Sequence, residues 1–273
     1  MMAPIRRWMN SVRLGKGSTA TEPEAPFAAP RHFDGPESCE FYHTMEIPGL
    51  GLVHGQWDLR GYVDQYLGQI SLADKRVLEI GPASGFLTVE MEKRGASVVA
   101  IEIPDKAEWN FVPYPASVLD PIYEPRRQHM DRIKNSWWLT HAAFQSKAKI
   151  VYTDVYKLPD ALGSFDIAVM AMVLLHCHSP LQIIEQCAKR AKSLVITEFY
   201  NPDLEGRPVC RLYPAPESED YDTWWFFSTD IIKRFLQVMG FSSFHVSTYM
   251  GETMRGPATL FTLTASREKL LSQ

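Results

Sequence analysis

Two groups of residues in this 273-residue chain have types and spacings that suit chemistry. The first is Glu79-Ile80-Gly81-Pro82-Ala83-Ser84-Gly85, between a short apolar run and a helix-like stretch. Small residues let a loop pass close to a ligand, and backbone N–H groups at the start of the next helix can meet its polar groups. Gly81 and Gly85 supply tight backbone positions, and at Ala83 a larger side chain would collide with a ligand. A plain structural turn is the alternative reading. Glu102 stands 21 residues beyond Gly81, at the expected end of the following strand. A carboxylate there can accept hydrogen bonds from both hydroxyls of a ribose. The same geometry suits NAD, but the G-x-G-x-x-G pattern is broken by Ala83 and Phe86, and no G-x-x-x-x-G-K-[ST] phosphate loop is present.

The second group follows the later strands. His176 is the leading candidate for a general base, with His178 behind it. A pocket-lining or loop-bracing role is the alternative for His176. Glu198 can orient an acceptor amine or hydroxyl, or serve as a salt-bridged loop carboxylate. Tyr200 lines the same opening. Trp109, Tyr114, Trp137, Trp138, Trp224 and Trp225 are concentrated in two stretches outside the regular alternation. They either pack those stretches down or offer a stacking platform. Arg207 and Arg211 can pair with an anionic substrate or stand as surface charge. No metal site is expected, because His176 and His178 cannot make one unaided. Cys39, Cys177, Cys187 and Cys210 form no CxxC and are expected as reduced thiols.

The elements that must hold these groups alternate. Arg76–Ile80, Ser97–Ile103, 150–153, Phe165–Met172 and 193–197 read as strands, and Phe86–Arg94, Leu181–Ala191 and Thr229–Met239 as helices. Phe244–Ser247 and Thr259–Thr264 read as two final strands. The spacing of Leu59, Tyr62, Val63, Tyr66 and Leu67 predicts a helix over 58–70. Residues 105–148 break the rhythm. Pro113, Pro115, Pro121 and Pro125 predict irregular chain in their first part, with a helix from about Arg127 to Ser146. A second, Pro-rich excursion covers 199–225. The domain expectation is a flexible tail over 1–35 and one domain over 36–273, with an N-terminal cap at 36–74.

This order resembles class I S-adenosylmethionine-dependent methyltransferases. Val77–Gly85 is similar to the first motif of that family, E/D-x-G-x-G-x-G, with Ala83 in place of the middle glycine. Glu102 matches the ribose-binding acid. Asp154-Val155 with Leu158-Pro159 resembles the adenine-binding segment, and Phe165-Asp166 through Leu175, His176 and Pro180 resembles the fourth-strand motif. The resemblance covers about residues 75–265. It implies an α/β Rossmann-like fold: a seven-stranded, mostly parallel sheet with an antiparallel last strand and helices on both faces. It also implies S-adenosyl-L-methionine as cofactor, met by Glu79, Gly81, Ala83, Ser84, Gly85, Glu102, Ile103, Asp154, Val155 and Met172. His176 and Glu198 are then the catalytic candidates, and Trp109, Tyr114, His178, Tyr200, Arg211, Trp224 and Trp225 the acceptor-binding ones. A narrower similarity links Phe41–Gly55, with His43, Glu46-Ile47-Pro48 and Gly49, and Trp225-Phe226-Phe227-Ser228 to the tRNA wobble-uridine carboxymethyltransferase group.

Composition bounds the acceptor. The net charge of -4 gives no global attraction to polyanions. Arg6, Arg7, Arg13 and Lys16 make only the first 20 residues basic. A small-molecule or sugar-containing acceptor is therefore expected over RNA, which stays the main alternative. An NAD(P)-dependent oxidoreductase and a noncatalytic nucleoside-binding protein are the readings from other classes. No run approaches the roughly 20 apolar residues of a membrane span, and a cytoplasmic protein is expected.

Overall fold

The computed structural model describes residues 27–105, 110–253 and 256–268. Near its start, β1 (Met45–Ile47) and β2 (Gly51–Val53) form a hairpin, followed by the short helix α1 (Val63–Tyr66). The alternating core then runs β3 (Arg76–Ile80), α2 (Phe86–Lys93), β4 (Ser97–Glu102), α3 (Ala116–Ala143), β5 (Lys149–Tyr152), β6 (Phe165–Ala171), α4 (Pro180–Arg190) and β7 (Ala191–Phe199). A two-stranded ribbon, β8 (Cys210–Leu212) with β9 (Trp225–Phe227), precedes α5 (Thr229–Val238) and the hairpin of β10 (Ser243–Thr253) and β11 (Gly256–Ser266).

The central sheet has seven strands in the order β10-β11-β7-β6-β3-β4-β5. Strands β3 to β7 pair in parallel, and β11 runs antiparallel to both β7 and β10. This is the expected Rossmann-like class I arrangement. The strands are nearly continuous apolar runs because both faces are covered. Val77, Val98, Ala100, Ile150, Ile167 and Val169 pack on one side with α2, Trp137 and Trp138 of α3, and the N-terminal cap. Leu78, Ile80, Val99, Ile101, Ala168 and Met170 alternate to the other side, against Ile183 and Ile184 of α4 and Ile232 and Leu236 of α5.

Three local expectations are corrected. The helix expected over 58–70 is limited to Val63–Tyr66. Gly68 stops it, with φ +71°, where a Cβ would lie 2.3 Å from Thr264 Cγ2, so the chain turns directly against the sheet. Conversely, α3 begins at Ala116 and carries Pro121 and Pro125 inside it. Each proline removes one backbone donor, yet helical geometry persists. The Phe111 ring sits edge-on to Tyr123 and the Arg126 guanidinium pairs with Asp222, which hold this half of the helix to the body. Finally, residues 27–35, placed by sequence in a flexible tail, dock on the fold. The Ala28 N–H donates to the Ile150 carbonyl of edge strand β5 at 2.8 Å, and Arg31 bridges Asp105 and Asp131. The rest of that expected tail lies outside the described residues.

Candidate active site

The parallel strands β3, β4, β6 and β7 deliver their carboxyl ends to one edge of the sheet, where ligands bind in open α/β folds. Between β3 and α2 the loop turns sharply: Gly81, Ala83 and Gly85 have φ of +71°, +47° and +87°. A Cβ on Gly85 would lie 3.2 Å from Trp137 Cδ1, so α3 closes on the loop from one side. Ser84 faces inward; its hydroxyl accepts from the Tyr42 and His43 N–H groups at 3.2 and 3.3 Å, fastening the cap to the loop.

Two carboxyls flank this turn. Glu79 is buried, and its Oε2 accepts from Thr88 Oγ1 at 2.5 Å while Oε1 has no partner. Burial pushes its pKa up to about 8, against the pull of the Thr88 hydroxyl. Glu102 ends β4 at 8% exposure, and its Oε1 accepts from the Ile103 N–H at 2.7 Å. Burial raises its pKa, opposed by that N–H and by the charge of Lys134. Lys134 is only 2% exposed; its Nζ donates to Asp105 at 2.8 Å and lies 5.1 Å from the Tyr152 ring centre. Ile103, next to Glu102, and Val155, just after β5, are half-buried, while Asp154 is exposed and its Oδ1 caps a turn through the Tyr156 N–H at 2.9 Å. Met172, with φ +54°, is buried at the end of β6.

The second cluster surrounds the turn Leu174–His176. Glu198 is 1% exposed, and its Oε1 accepts the Leu174 N–H at 2.8 Å while Oε2 has no partner. Burial pushes it up to about 8, against the loop N–H groups of Leu174, Leu175 and Val173. Its position is that of a brace for the loop after β6 and not of a group at an open surface. His176 is half-buried, with Nδ1 at 2.8 Å from the Asp222 carbonyl oxygen. His178 is exposed and stacked on Tyr156, ring centres 4.6 Å apart at 17°.

The remaining sequence-derived residues divide. Trp224 donates its indole N–H to the Asn110 carbonyl at 2.6 Å, Trp225 donates to the His178 carbonyl at 3.3 Å, and the Tyr114 hydroxyl donates to the Ala215 carbonyl at 2.9 Å. Trp224, whose backbone N–H also donates to the Leu175 carbonyl, and Trp225 thus sit on the turn that carries His176 and His178, while Tyr114 is tied to the 199–225 excursion. Arg211 is exposed on β8 with its guanidinium 5.1 Å from the Phe226 ring, and Tyr200 follows β7 with its N–H on the Thr259 carbonyl. Trp109 lies outside the described residues. Sequence reasoning missed Tyr42, Asn110, Arg126, Lys134, Tyr156 and Asp222. No spacing rule marks them, because the contacts join segments far apart in the chain. The Tyr42 phenol pKa is raised by burial, with a hydrogen bond from Trp57 opposing, and it feels the charges of Asp222, Arg126 and Glu198.

A cavity of about 250 Å³ lies between the cap and α2, lined by Met45, Arg60, Val63, Phe86 and Phe144. A second, of about 230 Å³, opens beside Ile103 and Pro104 and is walled by Phe111, Tyr123, Met130 and Lys134. The second, slightly the smaller, touches the carboxyl end of β4 through Ile103 and Pro104.

Among solved structures, the chain is similar to the N-terminal domain of EvdMO1 crystallised with S-adenosylhomocysteine and D-fucose. Identity is 16%, coverage 85% of this chain and 92% of that one, and the TM-score 0.52. The same domain with S-adenosylhomocysteine alone gives 16% identity, 85% and 93% coverage, and a TM-score of 0.51. Magnesium protoporphyrin IX methyltransferase from Synechocystis PCC 6803 matches at 15% identity over 77% of this chain and 82% of that one, with a TM-score of 0.49. The likeness to the EvdMO1 domain concerns the fold. No curated protein matches the sequence. A family model described as a methyltransferase domain matches residues 58–246, most of the chain and all of the strands that build the carboxyl edge. The chain belongs to the methyltransferase-domain family.

Proposed function

We propose that this protein transfers a methyl group from S-adenosylmethionine to a small-molecule or sugar-containing acceptor. The observation that carries the reading is the pairing of the left-handed loop Gly81–Gly85 with the carboxyls of Glu79 and Glu102 on adjacent strands. The residues suit that cofactor. Glu79 has a buried carboxyl oxygen without a partner, which asks for a donor. Glu102 spends one bond on Ile103 and has acceptor capacity left for ribose hydroxyls. Ile103 and Val155 offer apolar contact for a planar base, Asp154 an acceptor, and Met172 a wall. Bound S-adenosylmethionine supplies an electrophilic methyl group on a sulfonium centre.

The chain's own share is to bind, orient and shield. Placing the reacting groups in line removes much of the entropic barrier. His176 takes a proton from a hydroxyl or amine acceptor, and Glu198 keeps the turn beneath it in shape. The aromatic group of Tyr156, His178, Trp224 and Trp225 favours a compact, partly apolar acceptor. The net charge of -4 supports this over RNA.

A donor carrying a labelled methyl group, offered to fractionated metabolites, glycans and RNA, tests the reading. Label is expected in a metabolite or glycan fraction, and His176→Gln is expected to lower turnover by at least about a hundredfold, the low end for loss of a general base. Label confined to RNA contradicts the acceptor class, and full turnover in His176→Gln contradicts the base.

A further inference from the structure

Two excursions from the core are fastened to each other. The Val112 N–H donates to the Tyr221 carbonyl at 2.9 Å, the Tyr114 hydroxyl to the Ala215 carbonyl at 2.9 Å, and the Trp224 indole to the Asn110 carbonyl at 2.6 Å. Arg126 of α3 pairs with the Asp222 carboxylate. The joined segments cross the turn after β6, where the Trp224 N–H donates to the Leu175 carbonyl at 2.7 Å.

The segment around Asp222 is shaped before it meets the histidine. Asp220 Oδ1 accepts from the N–H groups of Asp222 and Thr223 at 3.4 and 3.0 Å, and its Oδ2 accepts from the Thr223 hydroxyl at 3.0 Å. The Asp222 carbonyl then stands 2.8 Å from His176 Nδ1, with the Asp222 carboxylate 3.7 Å away. A carbonyl oxygen only accepts, so Nδ1 is the protonated nitrogen and Nε2 of the neutral ring keeps the lone pair. That Asp222 side chain is 15% exposed, and its ion pair ties the carbonyl's position to α3.

We propose that Asp222 and Arg126 are positioning residues of the acceptor site, holding His176 as the Nδ1–H tautomer so that Nε2 receives the acceptor's proton. The inference rests on the methyl-transfer reading for its purpose, not for its geometry. In the proton step the acceptor's O–H or N–H bond breaks and its electron pair stays on the heteroatom. The proton passes to Nε2, and the imidazolium later returns it to water.

The test is a nitrogen-15 NMR spectrum of the imidazoles in the full chain, without donor, with His176→Gln to assign the signal. The wild type is expected to show the Nδ1–H tautomer at His176. Asp222→Asn and Arg126→Met, both checked for folding by circular dichroism, are expected to release it to a mixture, and Arg126→Lys to restore it. The Asp222→Asn and Arg126→Met variants should lose about tenfold in kcat, a part of the about hundredfold or more that a general base contributes, with donor affinity unchanged within about twofold. A wild-type mixture, or an undisturbed Nδ1–H tautomer in Asp222→Asn and Arg126→Met, overturns the proposal. Failure of the wild type to bind donor overturns the methyl-transfer reading alone, because the tautomer is read without it.

Discussion

At the scale of single residues, the site is marked by carboxyls that folding has taken out of water. Burial lifts Glu79 and Glu198 to about 8 each. A carboxyl with a folded pKa above its unfolded value binds more protons in the native state, so stability falls as pH rises between the two. The unfolded value is about 4.3, which puts the loss between about pH 4 and pH 8. Buried His43, pushed down to about 3, works in the opposite direction but only below its unfolded value, about 6.5. Between about pH 6.5 and pH 8 the carboxyls act unopposed by His43. Urea denaturation of the ligand-free protein should show stability declining across that window. Glu79→Gln and Glu198→Gln should each flatten the slope, by on the order of 1 kcal/mol per pH unit. A flat wild-type profile would contradict the burial argument. These two acids were legible in sequence as site candidates, but their burial was not. Asp222 was invisible there, because its partners Arg126 and His176 lie 96 and 46 residues away.

At the scale of elements, the mostly apolar runs Arg76–Ile80, Ser97–Glu102 and Phe165–Ala171 were legible because strands covered on both faces are apolar on both and too short for helices. The start of α3 was hidden by Pro121 and Pro125, whose local preference is overridden by contacts from distant segments. The β8–β9 ribbon was hidden for the same reason, since Cys210–Leu212 has its partner strand beyond a 12-residue excursion. Gly68 shows the converse, a single residue ending an otherwise helical pattern. Gly68→Ala places a Cβ into Thr264 Cγ2 at a left-handed position. It should lower stability by about 1–3 kcal/mol, read as a fall in denaturation midpoint. A midpoint equal to wild type would show that the turn relaxes freely.

At the scale of the whole molecule, the sheet order β10-β11-β7-β6-β3-β4-β5 brings the loop acids of β3 and β4 and the histidine turn after β6 to the same edge. The two excursions then cover that edge, stitched together through residues 110–114 and 213–224. Among the described residues no helix is long and apolar enough to cross a membrane. The methyl-transfer reading of this edge depends on its holding the nucleoside of the methyl donor between the glycine loop and Glu102. Calorimetric titration with S-adenosylhomocysteine, alongside NAD(H), measures that directly. The wild type should bind S-adenosylhomocysteine and not NAD(H). Glu102→Ala should weaken binding by about tenfold to a hundredfold, as loss of one or two hydrogen bonds to a charged group requires. Equal affinity in Glu102→Ala, or binding of NAD(H) alone, would contradict the account.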